Sequence, residues 1–335
     1  MKKKHIHFVC RGNVYRSRIA ILYALKTCTN RSVTFSCSGI EAERYYRNVH
    51  ATSPLTKYVA SRHDLDLRLS PRRTQTTNEL LNRADLIIFM HNDVMRDAKR
   101  MFDFNEHQSQ AWDIVDWDVY VDKHRTNRKN AAEETYEKIA CKVDELIRET
   151  TELSWVDIVD RDNQELGYRL PISWASQDPD VWHRSCHAII TTPSGYVVQK
   201  RSAHIILSPG RLDISVGGAV DAGETPERAI IREIYEEIGL TVQKHETTQL
   251  DQRRWNHVHP RFKRFSRNHL TTFHVHLNST PRFKLQPSEI AEVRILRPGQ
   301  LRYLLLRQRF PGFGRLNYPH AYYREMVGLT QGHFK

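Results

Sequence analysis

The sequence predicts an α/β chain in two parts. A doubly wound parallel sheet fills residues 1–150, and a strand-rich domain with one strong helix fills residues 155–335. Three observations predict this. A chain of 335 residues is long for one core and comfortable for two. Strand and helix patterns alternate up to about Thr150, as in doubly wound sheets. Beyond it, period-two alternation dominates.

Taken in order, His5–Cys10 is a short apolar strand, Arg16–Thr27 a helix, Ser32–Cys37 a strand and Leu55–Arg62 a helix. Ala84–Met90, ADLIIFM, is almost continuously apolar, as a strand buried on both faces requires. Over Ala131–Arg148, the residues Ala132, Tyr136, Ile139, Ala140, Val143, Leu146 and Ile147 form a helical stripe that would cover this sheet. Trp155–Val159 then reads as a strand and 160–167 as a polar turn. Cys186–Thr191, Tyr196–Lys200 and Leu270–Leu277 read as further strands. Pro226–Ile238 is a helix with well-specified ends: Thr225 suits the N-cap, Pro226 the first turn and Gly239 a left-handed C-cap.

Hydrophobic residues make up 39% and aromatics 10%, ordinary for a soluble protein, and no apolar run nears the roughly 20 residues that span a bilayer. The expectation is therefore no membrane span. The apolar run after MKKK is only about five residues long before Arg11, too short for a signal peptide. Five irregularly spaced cysteines offer no disulfide framework, so a reducing cytoplasm is the expected location. A formal charge of +12, from 51 basic and 39 acidic residues, favours phosphorylated or nucleic-acid partners through long-range attraction.

The stretch HFVCRGNVYRS, His7–Ser17, places Cys10 at the end of a strand and Arg16 at the start of a helix. Between them the backbone N–H groups of Arg11, Gly12, Asn13, Val14 and Tyr15 converge on one point, aided by the helix dipole. That point suits an oxyanion. Gly12 and Asn13 tolerate the left-handed backbone that such a loop needs. Arg16 offers a planar fork to two phosphate oxygens, and the cationic field favours Cys10 as a nucleophilic thiolate. Ser17 can donate to the sulfur as it leaves. These residues meet C-x-G-N-x-x-R-S, and the first 150 residues resemble the low-molecular-weight protein tyrosine phosphatases. The resemblance implies a phosphocysteine intermediate, no metal, and an aspartic general acid in a loop before the last helix. The family's D-I-P-D-P stretch stands here as Asp113-Ile114-Val115-Asp116-Trp117-Asp118, which makes Asp116 the expected acid and Asp118 the alternative. Tyr15 stands where some members carry a second cysteine, so a protective disulfide with Cys10 is not expected. Either Ser36 or Ser38 would steady Asn13.

In Gly217–Leu240, Glu233, Glu236 and Glu237 recur at three and four residues and share a helix face, where like charges call for a cation. The stretch fits G-x5-E-x7-R-E-U-x-E-E-x-G-U at Gly218, Glu224, Arg232, Glu233, Ile234, Glu236, Glu237, Gly239 and Leu240, and so resembles the Nudix hydrolases. The resemblance implies an α/β/α sandwich around a mixed sheet and hydrolysis of a diphosphate linked to another group. It also implies Mg2+, or Mn2+ in its place, on Glu233, Glu236 and Glu237. One of these, with Glu236 chosen, would be the base, and Arg232 would orient them. Glu292 is the expected further acidic helper, with Glu289 close behind. Flanks at 182–184, 199–202 and 209–213, including Arg201, are similar to the branch containing isopentenyl diphosphate isomerase. The strand Asp213–Val216 lacks that enzyme's cysteine, which favours hydrolysis. Finally, 253–267 holds six Arg or Lys and three aromatics without an acid. Arg253, Arg254 and Trp255 are its expected substrate contacts for a nucleotide or RNA, the alternative being a basic surface loop.

The reading is a fusion of two hydrolases acting on a phosphorylated small molecule or nucleotide, possible partners being RNA or a phosphoprotein. Its rivals are a phosphoprotein-signalling protein with a nucleotide-sensing second domain and an isomerase-like enzyme.

Overall fold

A computed structural model describes residues 3–45, 52–70, 72–124, 127–151, 154–205, 208–259, 264–317 and 320–330. The chain divides into two compact units, Met1–Leu153 with Arg169–Pro171, and Ser154–Tyr168 with Ile172–Lys335.

The first unit runs β1 (Lys4–Cys10), α1 (Arg16–Thr27), β2 (Val33–Gly39), α2 (Ala42–Tyr45), α3 (Pro54–Arg62), α4 (Asn78–Asn82), β3 (Leu86–Phe89), α5 (Asn92–Met101), β4 (Ser109–Ala111), α6 (Trp117–His124) and α7 (Arg128–Thr151). Its sheet has the order β2-β1-β3-β4 with every pairing parallel. Side chains alternate between its faces. Val9, Ile87 and Phe89 pack with Val94 and Ala98 of α5, while Phe8 meets Trp112, ring centroids 5.8 Å apart. The predicted stripe of α7 is buried at Ala132, Tyr136, Ile139, Val143 and Leu146, and α7 packs on α1. Each such fully buried Ile, Leu or Val contributes roughly 1.5–3 kcal/mol. Because β1 is central and the chain winds both ways from it, the carboxyl end of β1 lies at the switch point where open α/β sheets bind ligands.

One strand pair has a polar interior. His7, 0% exposed, bridges Ser36 Oγ at 2.5 Å and Ser38 Oγ at 2.7 Å. Burial, assisted by His5, lowers its pKa to about 3, so it is neutral in the fold. An unfolded histidine protonates near its ordinary 6.5. The stability conferred by neutral His7 is therefore complete above about pH 6.5 and drains as pH falls toward 3, at about 1.36 kcal/mol per unit. Acid unfolding of the first unit should show this loss, and a His7→Asn variant should show a flatter profile over the same range.

The second unit runs β5 (Trp155–Val159), β6 (Glu165–Pro171), α8 (Ile172–Ala175), β7 (His183–Thr192), β8 (Gly195–Arg201), β9 (Leu212–Ile214), β10 (Val216–Ala219), α9 (Pro226–Ile238), β11 (Thr247–His259), β12 (Arg264–His276), β13 (Ile290–Leu296), α10 (Pro298–Arg307), β14 (Arg309–Phe310), β15 (Gly314–Arg315) and α11 (His320–Thr330). The expected polar turn at 160–167 is shorter than predicted, because β6 begins at Glu165. The main sheet has the order β11-β12-β7-β8-β13 and is mixed, β12 and β7 being parallel. Ala188, Ile190 and Val197 face the apolar stripe of α9; Ile189, Tyr196 and Val198 face α10 and α11. This is the α/β/α layering. α9 has the predicted ends: Thr225 Oγ1 accepts from Arg228 N, and Gly239 is left-handed at φ 71°. Such a cap is worth about 1 kcal/mol.

The predicted strand 213–216 is two strands. Ser215, buried with φ 59°, breaks it. β9 pairs with β8 and β10 with β7, so the chain enters a fork between β7 and β8, which pair directly only at Thr191–Tyr196 and Thr192–Gly195. Ser215 Oγ donates to Val197 O at 2.9 Å and accepts from Ile190 N at 2.7 Å, joining the two arms. The basic stretch 253–267 is also not a loop where it is described. Most of it is paired β11 and β12, with 260–263 outside the described residues. Among the described residues no helix is long and apolar enough to cross a membrane.

Candidate functional site

Cys10 ends β1, 3% exposed. Its Sγ lies 3.0 Å from Ser17 Oγ and accepts from Asn13 N at 3.2 Å. Asn13 takes the left-handed conformation, φ 49°, that turns the loop. Gly39 of β2 lets the loop close: a Cβ there would sit 2.5 Å from Asn13 N and 2.7 Å from Arg11 O. Tyr15 is the N-cap of α1 but supplies no capping side-chain hydrogen bond; its hydroxyl donates instead to Ala132 O at 2.5 Å. A helix start without a side-chain cap leaves N–H donors for an anion.

Arg16, 6% exposed, donates through Nη1 to Ile114 O at 3.0 Å and through Nη2 to Asp116 Oδ2 at 2.6 Å. The structure therefore brings Cys10, Arg16, Ser17 and Asp116 together. Asp118 is exposed, its Oδ1 accepting from Val119 N. Burial raises the pKa of Asp116, with Arg16 opposing. A third of the side chain is accessible, 33%, but crowding around the carboxyl outweighs the ion pair in setting the direction. The Arg11 side chain turns away to Asp97 at 2.7 Å and Asp93 at 3.1 Å, which leaves its backbone N–H for the loop. One expectation needs correction. Neither Ser36 nor Ser38 holds Asn13 with its hydroxyl, because alternate residues of β2 face the histidine ladder. Asn13 Nδ2 donates to Cys37 Sγ at 3.2 Å and Ser17 Oγ at 2.9 Å, and Asn13 Oδ1 accepts from Thr74 N at 2.8 Å.

In the second unit, Arg232 is the hub of the acidic helix. It donates to Glu224 at 3.0 Å, Glu233 at 2.8 Å and Glu236 at 3.2 Å. Of the glutamate trio expected to share one ion, Glu233 and Glu236 are both held by this guanidinium, and Glu237 is not. Among the described residues no three His, Cys, Asp or Glu side chains stand close enough to hold a metal. The donor chemistry nevertheless fits a hard cation. Glu237 is 7% exposed and its Oε2 has no hydrogen-bond partner. Burial and the nearby Glu233 and Glu289 carboxylates push its pKa well up. Burial raises Glu233 to about 7 against the opposing pull of Arg232. Gly218 lies against it, since a Cβ there would meet Glu233 Oε1 at 2.1 Å. Carboxylates held this way suit Mg2+ better than soft metals.

The open end of the strand fork holds a cavity of about 690 Å3 lined by Arg201, Gly218, Trp255 and Glu289, among others. Of the expected contacts, Arg201, Gly218 and Trp255 lie there. Strand alternation sends Arg254 to an exposed position, and Arg253 is taken up by Asp251 and, at 2.6 Å, by Glu325. Glu292 pairs with Arg294 at 2.6 Å, whereas Glu289 lines the cavity and acts on Glu237. Sequence reasoning missed Cys186, His187, Asp213 and Tyr322 in the cavity wall. His187 Nδ1 and Tyr322 Oη are 2.5 Å apart, and Tyr323 donates to Asp213 at 2.9 Å. The paired residues lie 135 and 110 positions apart and share no motif, so only the β7 alternation could have placed His187 and Cys186 on the sheet.

Comparison with known proteins matches the NUDIX domain profile to residues 181–315 and that of the low molecular weight phosphotyrosine protein phosphatases to residues 5–163. An uncharacterized Nudix hydrolase of Rhodococcus erythropolis is 31% identical over 146 residues, 41% of this chain and 74% of that protein. One of Yersinia pestis is 32% identical over 89 residues, 26% of this chain; the match spans 48% of that relative's length. The solved structure of Vibrio vulnificus Wzb in complex with benzylphosphonate aligns with TM-score 0.37 and 21% identity, covering 44% of this chain and 98% of that one.

Proposed function

Since this chain belongs to the Nudix hydrolases and carries a low-molecular-weight phosphotyrosine protein phosphatase domain ahead of the Nudix domain, we propose that it is a bifunctional phosphohydrolase. The second unit cleaves a diphosphate-linked substrate, nucleoside diphosphate derivatives being the first class to test, and the first unit removes the phosphomonoester so exposed. The observation that carries this reading is the union in one chain of a cationic loop around Cys10 and an acidic helix on which Glu237 Oε2 stands unpartnered.

In the first unit the Cys10 sulfur attacks phosphorus. An S–P bond forms as the ester P–O bond breaks, and Asp116 gives its proton to the departing oxygen. Arg16 moves its fork from Ile114 and Asp116 to two phosphoryl oxygens. Water, giving a proton to Asp116, then attacks phosphorus, and the S–P electrons return to sulfur, where Ser17 Oγ donates. In the second unit a bound divalent ion would neutralise diphosphate charge, held by Glu233 and Glu237 with Glu236 beside them. Arg232 fixes Glu233 and Glu236. Glu236, the most open of the three at 49%, takes the proton from the attacking water as the P–O–P link opens.

Asp116 must be protonated to act as acid, and its raised pKa extends the active range upward. The phosphatase rate should fall as pH climbs through that value. Asp116→Asn should cut kcat about 10²- to 10³-fold on poor leaving groups and much less on p-nitrophenyl phosphate. Equal losses on both substrates would remove Asp116 from this role. The coupled reading is tested by incubating nucleoside diphosphate derivatives and Mg2+ with wild type, Cys10→Ser and Glu236→Gln, measuring phosphomonoester and inorganic phosphate separately. Cys10→Ser should stop at the monoester; identical final products at an identical rate would end the proposal.

One observation favours a second reading. Cys186 lines the cavity with Sγ 3.7 Å from Gly218 O, and burial, with Glu233 adding, holds it as a thiol. A thiol acid beside a glutamate suits proton transfer in an isomerase. Product analysis on isopentenyl diphosphate separates the two, hydrolysis without isomer being the expected result.

A further inference from the structure

α1 carries a second arginine two residues past Arg16. Arg18 is 0% exposed and heads the fully buried side chains in size. Its Nη2 donates to the Ser70 carbonyl and to Thr52 Oγ1 at 3.3 Å, while Nε and Nη1 have no hydrogen-bond partner. Among the described residues no carboxylate pairs with it. The groups acting on its charge are the buried Cys37 thiol and a second buried cation, Arg73. Arginine keeps its proton in proteins, and a buried cation without an anion is strongly unfavourable. The reaction assigned to the first unit leaves Arg18 unused.

The surroundings are polar and adjoin the Cys10 loop. Ser70 Oγ lies 3.8 Å from Cys37 Sγ, and that sulfur accepts from Asn13 Nδ2 at 3.2 Å. Thr74, next to Arg73, donates its N–H to Asn13 Oδ1 at 2.8 Å. Both buried arginines are thus one residue contact from the asparagine that shapes the phosphate loop.

We propose that Arg18, with Ser70 and Arg73, forms a second oxyanion site beside the Cys10 loop that takes a tetrahedral phosphoryl group. Its occupant is either free orthophosphate or, resting on the function proposed above, a second phosphoryl group of the first unit's substrate. The unpartnered Nε and Nη1 of Arg18, three N–H donors in all, supply the charge-assisted hydrogen bonds.

Orthophosphate titrated into full-length Arg16→Met, whose catalytic loop is weakened, should still raise the unfolding temperature of the first unit, by about 5 °C near saturation. In Arg16→Met/Arg18→Met the rise should vanish, and the protein should unfold higher than Arg16→Met in phosphate-free buffer. An equal rise with and without Arg18 overturns the proposal. Diffraction from tungstate-soaked wild-type crystals decides independently of whether the variants fold: an ion against Arg18 supports the site, and tungstate at the Cys10 loop alone overturns it. For the source, Arg18→Met should raise KM about 10-fold for a substrate with two phosphoryl groups and leave a one-phosphoryl substrate unchanged if the substrate fills the site. Unchanged KM for both, with the phosphate effect lost, assigns it to orthophosphate. The unfolding and diffraction readouts involve no turnover, so they stand even if the catalytic reading fails.

Discussion

Cys10→Ser should lower phosphomonoester hydrolysis by at least about 10⁴-fold while diphosphate cleavage continues at the wild-type rate. The sulfur sits where the N–H of Asn13 and the hydroxyl of Ser17 both reach it, 3.2 and 3.0 Å away. A serine oxygen there has no neighbouring base to activate it, since Asp116 must arrive protonated for the first step. The loop geometry depends on Asn13, Gly39 and Arg16 and survives the exchange, so phosphate should still bind. Kinetics on p-nitrophenyl phosphate and on a diphosphate substrate, run on the same preparation, make the check. Loss of both activities together would mean that the two units do not work separately.

Glu237→Gln should move activity and stability in opposite directions. A carboxylate at 7% exposure, its Oε2 unpartnered and its neighbours Glu233 and Glu289 also acidic, is unfavourable when ionised. Its raised pKa means that the fold holds the proton more tightly than the unfolded chain. Stability of the metal-free protein is thus present below the usual carboxylate value of 4.5 and lost as pH rises toward the raised value. The glutamine variant escapes that loss, so it should unfold at a higher temperature than wild type at pH 8 and at a similar one at pH 4. Diphosphate cleavage should fall about 10³-fold, and Mg2+ should stabilise the variant less than wild type. Wild-type turnover, or equal stabilisation by Mg2+, would remove Glu237 from the metal site.

Much of this was legible from local sequence. The strand-loop-helix at Cys10 and the caps of α9 are set by residues a few positions apart, and Thr225, Pro226 and Gly239 stand where they were expected. What escaped prediction came from distant residues. The choice between Glu292 and its named alternative Glu289 falls to Glu289, which acts on Glu237, and β13 carries a register shift between Ile290 and Glu292 that no spacing announces. Arg253 is neutralised by Glu325, 72 positions later, so a run that looks cationic in sequence is partly spent in the fold. Arg232 ties up Glu233 and Glu236, two of the three glutamates that its own motif groups together. Arg18 stands outside the phosphate-loop motif, where the resembled phosphatases frequently carry proline, and its burial is what sequence does not announce.

The serine at the strand fork bears on how this cavity can change. Because Ser215 fastens both arms with one hydroxyl, the width of the mouth is set at a hinge point in the sheet rather than by the residues lining it. Exchanging a residue of the cavity wall therefore leaves this fastening in place. Loss of the hydroxyl at the apex would instead weaken the join of the two arms, one of which pairs with the strand that carries Gly218 to Glu233.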